Sequence, residues 1–443
     1  MKTRLLAATV AVATVTLTAA CGGGGSSGGS SNGGSGSTTL TYWASNQGTS
    51  LQNDKDVLGP ELAKFEKQTG VHVDLEVIGW PDLLNKILAA TTSGQGPDVL
   101  NIGNTWAASL QATGAFMPYD DAALNAIGGK DKFVETAFAT GGAPGKTPTS
   151  VPLYGLVYGL YYNKKMFSDA GLQPPTTWQD LVTDAKKLTD PSKGVYGMAM
   201  EGGSYTESVH FAFIFGRQNG GQPFDDSGKA TFTTPGMVAG VKQYVDLMGA
   251  DKVVNPSSVQ YKNGPEAPGD FAKGKAAMLM SQNNADNTLQ ADGMTPDQYG
   301  VVAIPAPSPL PPGGKDVASF VAGINISIFK NTKNKDAALK FVKFMTSKEE
   351  QAILDKPFTA LPVVKGGEVN FTSNKDEADT FAQILATKAE PLPLIPAESA
   401  FETNVGNAVN GLLAQAATGK PVSDADIKAA LTEAQDKMAA AGS

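Results

Sequence analysis

Three of the four tryptophans come just after short apolar runs with the pattern of β-strands. They are Trp43, Trp80 and Trp106, and the polar residues beside them are Ser45, Asn46, Gln47, Asn104 and Thr105. Aromatic rings cover the flat C–H faces of a sugar, and amide and hydroxyl groups pair with its hydroxyls. Ligands of open α/β sheets bind beyond the carboxyl ends of the strands. These residues are therefore candidate sugar contacts, with core or hinge packing as the alternative for the tryptophans.

A second group of candidates lies further along the chain. Some follow a strand-like run over residues 195–200, others follow an apolar run over 278–280, and the rest flank the first predicted crossing or precede or open later elements. Their carboxylate, amide and aromatic groups suit sugar hydroxyls and faces equally well. The candidates are Tyr154, Glu201, Tyr205, Gln282, Asn283, Asn284, Phe320, Glu398, Phe401 and Glu402. Tyr154 fits a hinge as well as a cleft, and His210 is interpreted as a helix-face residue.

Catalytic chemistry has little material in this sequence. The chain carries two histidines and one cysteine, so thiolate metal sites and most nucleophile–base arrangements are poorly supplied. The His-Glu-x-x-His pattern, the nucleophile elbow and the phosphate-binding loop are not found in the sequence. A glycosidase needs two positioned carboxylates, and no acid pair stands out after a strand. We expect a protein that is not an enzyme and needs no metal or cofactor, with a cell-surface carbohydrate-active enzyme or an adhesin as alternatives.

The elements that must position the candidates alternate between strand and helix. Pro60 is expected to open a helix that Gly70 closes. Residues 71–77 alternate strictly, as in a strand with one buried face, and His72 falls on the solvated side. A helix and a further strand over residues 97–102 follow. This order predicts an α/β protein with a mostly parallel sheet between helices.

The size and charge of the chain limit its organisation and partners. The body after residue 37 is too long for one hydrophobic core and should form two lobes. The formal charge is −8, from 35 basic and 43 acidic residues, and no run of Lys or Arg stands out. A nucleic-acid partner is therefore not expected.

The beginning of the chain has the features of an exported lipoprotein. Basic Lys2 and Arg4 precede an apolar stretch over residues 5–20, which is too short for a comfortable bilayer span. The stretch ends before Cys21 and resembles a lipobox, which implies a signal peptide over residues 1–20 and acylation of the cysteine. Residues 22–37 are only Gly, Ser and one Asn, as in a flexible tether. We expect the protein to be anchored by lipid to the outer face of the bacterial cytoplasmic membrane. Two or more acyl chains are enough to keep a protein stably bound to a membrane.

The order of short motifs along the body resembles the extracellular solute-binding proteins of ABC importers, in particular the sugar-binding group typified by maltose-binding protein. The resemblance extends from about Leu40 to the last predicted helix. The matching stretches are Lys64–Gly70, Gly94–Val99, Tyr161–Phe167, Pro175–Trp178, Phe271–Met278, Ala322–Asn325, Ile395–Pro396 and Ser399–Phe401. It implies two α/β lobes joined by several hinge crossovers around a ligand cleft, and an ABC permease as partner.

The resemblance also implies lobe boundaries. Lobe one would be residues 38–150 plus 305–354, and lobe two would be residues 151–304 plus 355–443. The crossings would lie near Ser150–Tyr154, Ile304–Pro312 and Asp355–Thr359. The protein would act as a monomer.

The ligand class is narrowed by the residue types. The lobe-one candidates carry no Arg or Lys, which a phosphate or carboxylate ligand would normally require. This favours a neutral di- or trisaccharide. At two places the resemblance implies an aromatic sugar platform. In this sequence an amide from the run Gln282, Asn283 and Asn284 stands at the first place, and Glu402 stands at the second. A polyol, a glycerol phosphodiester or a polyamine stays open as the alternative ligand.

Overall fold

The computed structural model describes residues 38–372 and 374–441. Cys21, the predicted signal peptide and the tether lie outside the described residues, so they stay predictions. Among the described helices, none combines the length and the apolar character that a membrane crossing requires. The strands are β1 (Thr39–Ser45), β2 (His72–Ile78), β3 (Val99–Gly103), β4 (Ser150–Leu156), β5 (Tyr158–Asn163), β6 (Tyr196–Ala199), β7 (Ala276–Gln282), β8 (Tyr299–Val302), β9 (Ser319–Phe320), β10 (Ala322–Ile328) and β11 (Ala389–Glu390).

Helices connect and cover these strands. They are α1 (Leu51–Thr69), α2 (Trp80–Ser93), α3 (Ala107–Ala112), α4 (Asp121–Ala126), α5 (Glu135–Phe138), α6 (Lys164–Asp169), α7 (Trp178–Leu188), α8 (Tyr205–Gln218), α9 (Pro235–Asp246), α10 (Glu266–Ala272), α11 (Ala285–Ala291), α12 (Lys335–Met345), α13 (Lys348–Leu354), α14 (Lys375–Thr387), α15 (Glu398–Ala417) and α16 (Asp424–Ala441). Short 3₁₀ turns occupy Asn104–Trp106, Lys130–Lys132, Ala139–Gly141, Pro191–Lys193 and Pro256–Gln260.

The strands form two main sheets. The first has five strands in the order β2-β1-β3-β10-β4, with β1 parallel to β2 and β3, and β10 antiparallel to its neighbours. The second has four strands in the order β6-β7-β5-β8. The predicted alternation of strand and helix in the first part of the body is confirmed. Because β1, β2 and β3 are parallel, the loops after them meet at one edge of the first sheet.

The helix α1 corrects one expectation. It begins at Leu51, where the Ser50 hydroxyl accepts a bond from the Asn53 N–H, and Pro60 lies inside it. The prediction that Pro60 opens the helix was wrong, because Ser50, upstream of Pro60, already caps the N-terminus of the helix. Gly70 ends the helix with a φ of 72°, a left-handed conformation that glycine adopts without strain.

Aromatic packing fixes the first sheet against its helices. The Tyr42 ring on β1 meets Phe341 of α12 edge-on at 5.0 Å, and Phe341 in turn meets Phe65 of α1 at 5.2 Å. On the other face, Ile87 of α2 and Trp106 belong to a separate buried cluster. Each buried large side chain of this kind contributes roughly 1.5–3 kcal/mol. This cluster holds α2 against the end of β3.

The described chain passes between the two sheets at three places. The strand β4 pairs with β10 in the first sheet and β5 lies in the second, so the first passage is at Val157, beyond the predicted 150–154. The second lies between β8 and β10, and the third follows α13. In the second passage, the Ala306 carbonyl accepts a bond from the Trp178 N–H of α7, next to the second sheet. The residue boundaries of the lobes stay a prediction.

Candidate functional site

A cleft lies between the two sheets, beyond the carboxyl ends of β1, β2 and β3, and it contains about 1000 Å³ of empty space when the open solvent at its mouth is included. Residues from both sheets and from α8 and α15 form its wall. The sequence candidates in the wall are Asn46, Gln47, Trp80, Asn104, Thr105, Trp106, Glu201, Gln282, Asn284, Phe320 and Glu402.

Two tryptophans form an aromatic corner of the cavity. The rings of Trp80 and Trp106 meet edge to face, with centroids 5.6 Å apart. The indole N–H of Trp80 donates to the Asn46 carbonyl at 2.7 Å, which fixes the ring orientation. Gly103 lies under the second ring, where an added Cβ would be 3.3 Å from the indole. These contacts orient both rings relative to the loops after β1 and β3.

The polar loop after β1 is held by a buried acid in α1. Asp54 accepts bonds from the backbone N–H groups of Gln47 and Gly48, at 2.8 and 3.2 Å, and from the Asn46 side chain. Burial raises its pKa to about 6, although these hydrogen bonds favour the ionised form. Sequence reasoning missed Asp54, which positions the loop and is absent from the cavity wall.

A chain of hydrogen bonds lines the opposite side. The Tyr158 hydroxyl donates to Glu207 at 2.7 Å and lies 2.9 Å from His210 Nδ1. The other ring nitrogen of His210 is 3.6 Å from Glu402, whose second oxygen accepts the Trp106 indole N–H at 2.5 Å. Burial raises the pKa of Glu207. Burial opposes the ionisation of Glu402, but the neighbouring His210 holds its pKa below the usual value.

Several buried acceptors in the wall have no hydrogen-bond partner within the described part of the chain. Glu201 uses one oxygen to accept the Ala267 N–H at 2.7 Å, while its other oxygen is unpaired. Burial raises the Glu201 pKa to about 8. The side-chain oxygen of Gln47 and one oxygen of Glu402 are also unpaired. Buried groups of this kind need hydrogen-bond partners, which a bound molecule or ordered water can supply.

Four sequence candidates lie outside the cavity wall. Trp43 alternates away from the buried Tyr42 and carries the Lys86 ammonium 4.4 Å above its ring. Ser45 is buried and accepts bonds from Gln47 and Asn101. The others are Tyr154, which packs edge-on against Phe358, and Tyr205, which lines a neighbouring groove.

Three further candidates are placed as internal residues. Asn283 is fully buried and bonds to the backbone of two crossing segments. Phe401 is fully buried against Phe224 and Phe232. Glu398 is fully buried, and burial, with Glu402 nearby, raises its pKa well above the usual value. These positions fall on the inner side of their elements, which a pattern of residue types does not reveal.

The helix α8 supplies wall residues that sequence reasoning did not select, Glu207 and His210. Ser204 caps this helix by accepting a hydrogen bond from the Glu207 N–H. In the sequence, the Ser-x-x-Glu spacing therefore indicates the start of a helix and not a binding residue. The Glu207 carboxylate instead bonds to Tyr158. His210 lies one helical turn further on the same face, which is the signal that links both to the site. Across residues 38–372 and 374–441, no three His, Cys, Asp or Glu groups converge as metal ligands.

Comparison with known proteins places this architecture in a family. The family model for bacterial extracellular solute-binding proteins matches residues 48–352. A putative binding protein of Brucella abortus is 27% identical over 380 residues, covering 84% of this chain and 87% of its own length. The diacetylchitobiose-binding protein of Streptomyces coelicolor is 26% identical over 394 residues, covering 87% of each chain.

The fold has a solved counterpart. An ABC transporter solute-binding protein from Thermotoga lettingae, bound with α-D-tagatose, superimposes with a TM-score of 0.78 at 22% identity. The match covers 91% of this chain and all of the other. The predicted two-lobed α/β fold around a central cleft is confirmed. With the family model matching more than half of the sequence, the chain belongs to the bacterial extracellular solute-binding proteins.

Proposed function

We propose that the protein is the substrate-binding lipoprotein of an ABC importer, and that it captures a neutral di- or trisaccharide in the cavity and delivers it to a membrane permease. The observation that carries the proposal is a set of buried side-chain oxygens, on Gln47, Glu201 and Glu402, that have no hydrogen-bond partner among the described residues and lie beside the corner of Trp80 and Trp106. A sugar supplies many hydroxyl donors and flat C–H faces, which are the partners this wall requires.

The charge of the wall supports an uncharged ligand over an anion. The side chains facing the cavity include Glu201, Glu207 and Glu402, whereas the cations in the described wall are Lys262 and, when protonated, His210. A phosphate or carboxylate ligand would face the Glu402 carboxylate, whose pKa is held below its usual value, without an arginine clamp. Two relatives bind small carbohydrates according to their names, diacetylchitobiose in one case and α-D-tagatose in the other.

Capture would proceed by closure of the lobes. Hydrogen bonds within the described part of the chain already bridge the two sides of the cavity: Trp106 to Glu402, the Ser399 N–H to Ser109, and the Asn287 amide to the Gln47 carbonyl. A ligand that contacts both sides adds to these bonds and biases the equilibrium toward the closed form. The closed monomer, anchored through acylated Cys21, is the form offered to the permease.

The test is a binding panel read by calorimetry and by thermal unfolding. We expect diacetylchitobiose or maltotriose to release heat and raise the melting temperature by several degrees, with the sugar recovered intact by chromatography. Trp106→Phe should weaken binding about tenfold or more, because the bond to Glu402 is lost and the smaller ring covers less of a sugar face. Trp178→Phe is the matched control, since its ring packs against Phe215 away from the cavity.

The outcomes separate the alternatives. A panel with neither heat nor thermal shift would overturn the sugar proposal. Released monosaccharide would favour a carbohydrate-active enzyme, and attachment to a glycan surface without binding of free sugar would favour an adhesin. Binding of ribitol-type polyols without any saccharide would favour a polyol carrier. Spermidine, a polyamine, and a glycerol phosphodiester belong in the panel as the non-sugar arms, and binding of either one without any saccharide would favour a carrier of that class.

A further inference from the structure

Asn283 stands between two residues that line the cavity but does not itself line the cavity. It follows β7, and its neighbours Gln282 and Asn284 both line the cavity. Its own side chain is fully buried. A buried amide needs partners for both its acceptor and its donor groups, so the partners show what it is for.

The partners of Asn283 lie in two of the three passages between the sheets. Its side-chain oxygen accepts the Val157 N–H at 2.8 Å, and its own backbone N–H donates to the Val157 carbonyl at 3.1 Å. Its amide nitrogen donates to the Thr359 carbonyl. Val157 is the residue between β4 and β5, and Thr359 lies in the third passage. One side chain therefore joins the first passage, the third passage and the end of β7.

The two passages are also paired directly with each other. Gly155 and Leu361 exchange backbone bonds of 3.0 and 2.8 Å. A Cβ at Gly155 would lie 2.7 Å from the Leu361 carbonyl oxygen, so the close approach requires glycine. Thr359 has a φ of 46°, in the left-handed region that a β-branched residue rarely adopts. The surroundings hold this backbone in place, and the Asn283 amide is one of the groups that does so.

We infer that Asn283 is a positioning residue that couples ligand contact to lobe closure. Rotation of one lobe against the other must be absorbed by a few dihedral angles in the crossing segments. Because Asn283 bonds to two of these segments, a change in their geometry moves Gln282 and Asn284 at the cavity wall. In the reverse direction, a ligand held by those two residues fixes the crossings in the closed arrangement.

The experiment measures lobe separation without any ligand, so that it does not depend on the proposed function. In a Cys21→Ser background, spin labels on cysteines at exposed Asn85 of α2 and exposed Ala414 of α15 report the distance across the cleft. Asn283→Ala should broaden the distribution and shift it to longer distances, because the crossings are released. A distribution that superimposes on the parent's would overturn the inference.

The matched control is Asn325→Ala. Asn325 is also buried, but its amide donates to the Thr140 carbonyl at 3.1 Å and to Ser150 at 3.0 Å, beside the first sheet. Both variants remove a satisfied buried amide and should lower the melting temperature. Only the change at Asn283 should move the labels. If both variants change the distance between the labels equally, the change comes from lost stability and not from a positioning role of Asn283. That result would also overturn the inference.

Two milder variants keep the test decisive if Asn283→Ala does not fold. Asn283→Asp keeps the acceptor for Val157 but loses the donor to Thr359, and should shift the labels in the same direction. Thr359→Gly keeps the carbonyl acceptor and suits the positive φ, so it should leave the parent distribution unchanged. With diacetylchitobiose as the probe, Asn283→Asp should bind at least fivefold more weakly. If the parent does not bind this probe, the proposed function is affected and the ligand-free distances still decide the inference.

Discussion

A single buried carboxyl shows how the wall of this cavity is prepared for a ligand. Glu201 is 7% exposed, and one of its oxygens is used by the Ala267 N–H while the other is unpaired within the described residues. Burial raises its pKa to about 8, so at neutral pH the group is mainly protonated. A protonated carboxyl both donates and accepts, which matches a sugar hydroxyl better than a carboxylate would.

The raised pKa of Glu201 predicts a pH-dependent stability. The native protein holds a proton up to about pH 8, whereas the unfolded chain releases it near the usual value of 4.5. The free energy of unfolding should therefore fall as pH rises from 5 to 8. Glu201→Gln keeps the shape and the acceptor for Ala267 but cannot ionise, so we expect it to be more stable than the parent at pH 8 by about 1–4 kcal/mol.

Urea unfolding at pH 5 and pH 8 measures this difference. Glu368→Gln, at an exposed position, serves as the control and should follow the parent at both pH values. If Glu201→Gln and the parent lose equal stability between the two pH values, Glu201 does not carry a buried proton.

At the scale of elements, the loop after β1 depends on the first turn of α1. Ser50 starts the helix, and this places Asp54 under the backbone N–H groups of Gln47 and Gly48. The helix therefore does two tasks, packing its apolar face through Phe65 and presenting a carboxylate to the loop. A loop held in this way needs no reorganisation when a ligand arrives.

Asp54→Asn should loosen the loop. The amide can accept at one position only, so a backbone N–H that now meets a carboxylate oxygen would face an NH₂ group. We expect a loss of about 1–3 kcal/mol in unfolding free energy and weaker sugar binding. Asp56→Asn is the control in the same helix, because Asp56 is exposed and bonds only to Gln52 among the described residues. Equal effects of the two changes, measured by urea unfolding and calorimetry, would contradict this role.

The elements also show what sequence could and could not predict. Trp80 and Trp106 were found because parallel strands bring the residues after them to one edge of the sheet. Trp43 is still within β1, so the alternation of the strand sends its ring to the side of Lys86. Glu207 and His210 were not selected because their helix comes from the other half of the fold, and their spacing reads as capping and helix packing.

At the scale of the whole molecule, the two-lobed fold followed from the order of short motifs, while the exact passages between lobes did not. The strand β4 continues in the first sheet as far as Leu156, because it pairs with β10, a strand more than 160 residues away in sequence. Pairing over such a distance depends on tertiary packing that a local pattern does not encode. The residues just after β4 then meet other passages: Asn283 bonds to the backbone of both Val157 and Thr359, and the Tyr158 N–H donates to Ser319 at 2.9 Å.

The closure of the lobes predicts how the protein releases its ligand. Ser109 lies on the first lobe and accepts the Ser399 N–H at the start of α15, a bond of 2.9 Å across the cleft. Ser109→Ala removes this bond only from the closed form, at a cost of about 1 kcal/mol, which is roughly a fivefold change in an equilibrium constant. Since the encounter with the open form is unchanged, we expect the dissociation rate to rise about fivefold and the association rate to stay the same. Stopped-flow tryptophan fluorescence with the saccharide that gives the largest thermal shift separates the two rates. Ser93→Ala, whose hydroxyl bonds within α2, is the control and should change neither. An unchanged dissociation rate in Ser109→Ala would mean that the lobes do not open at this contact during release.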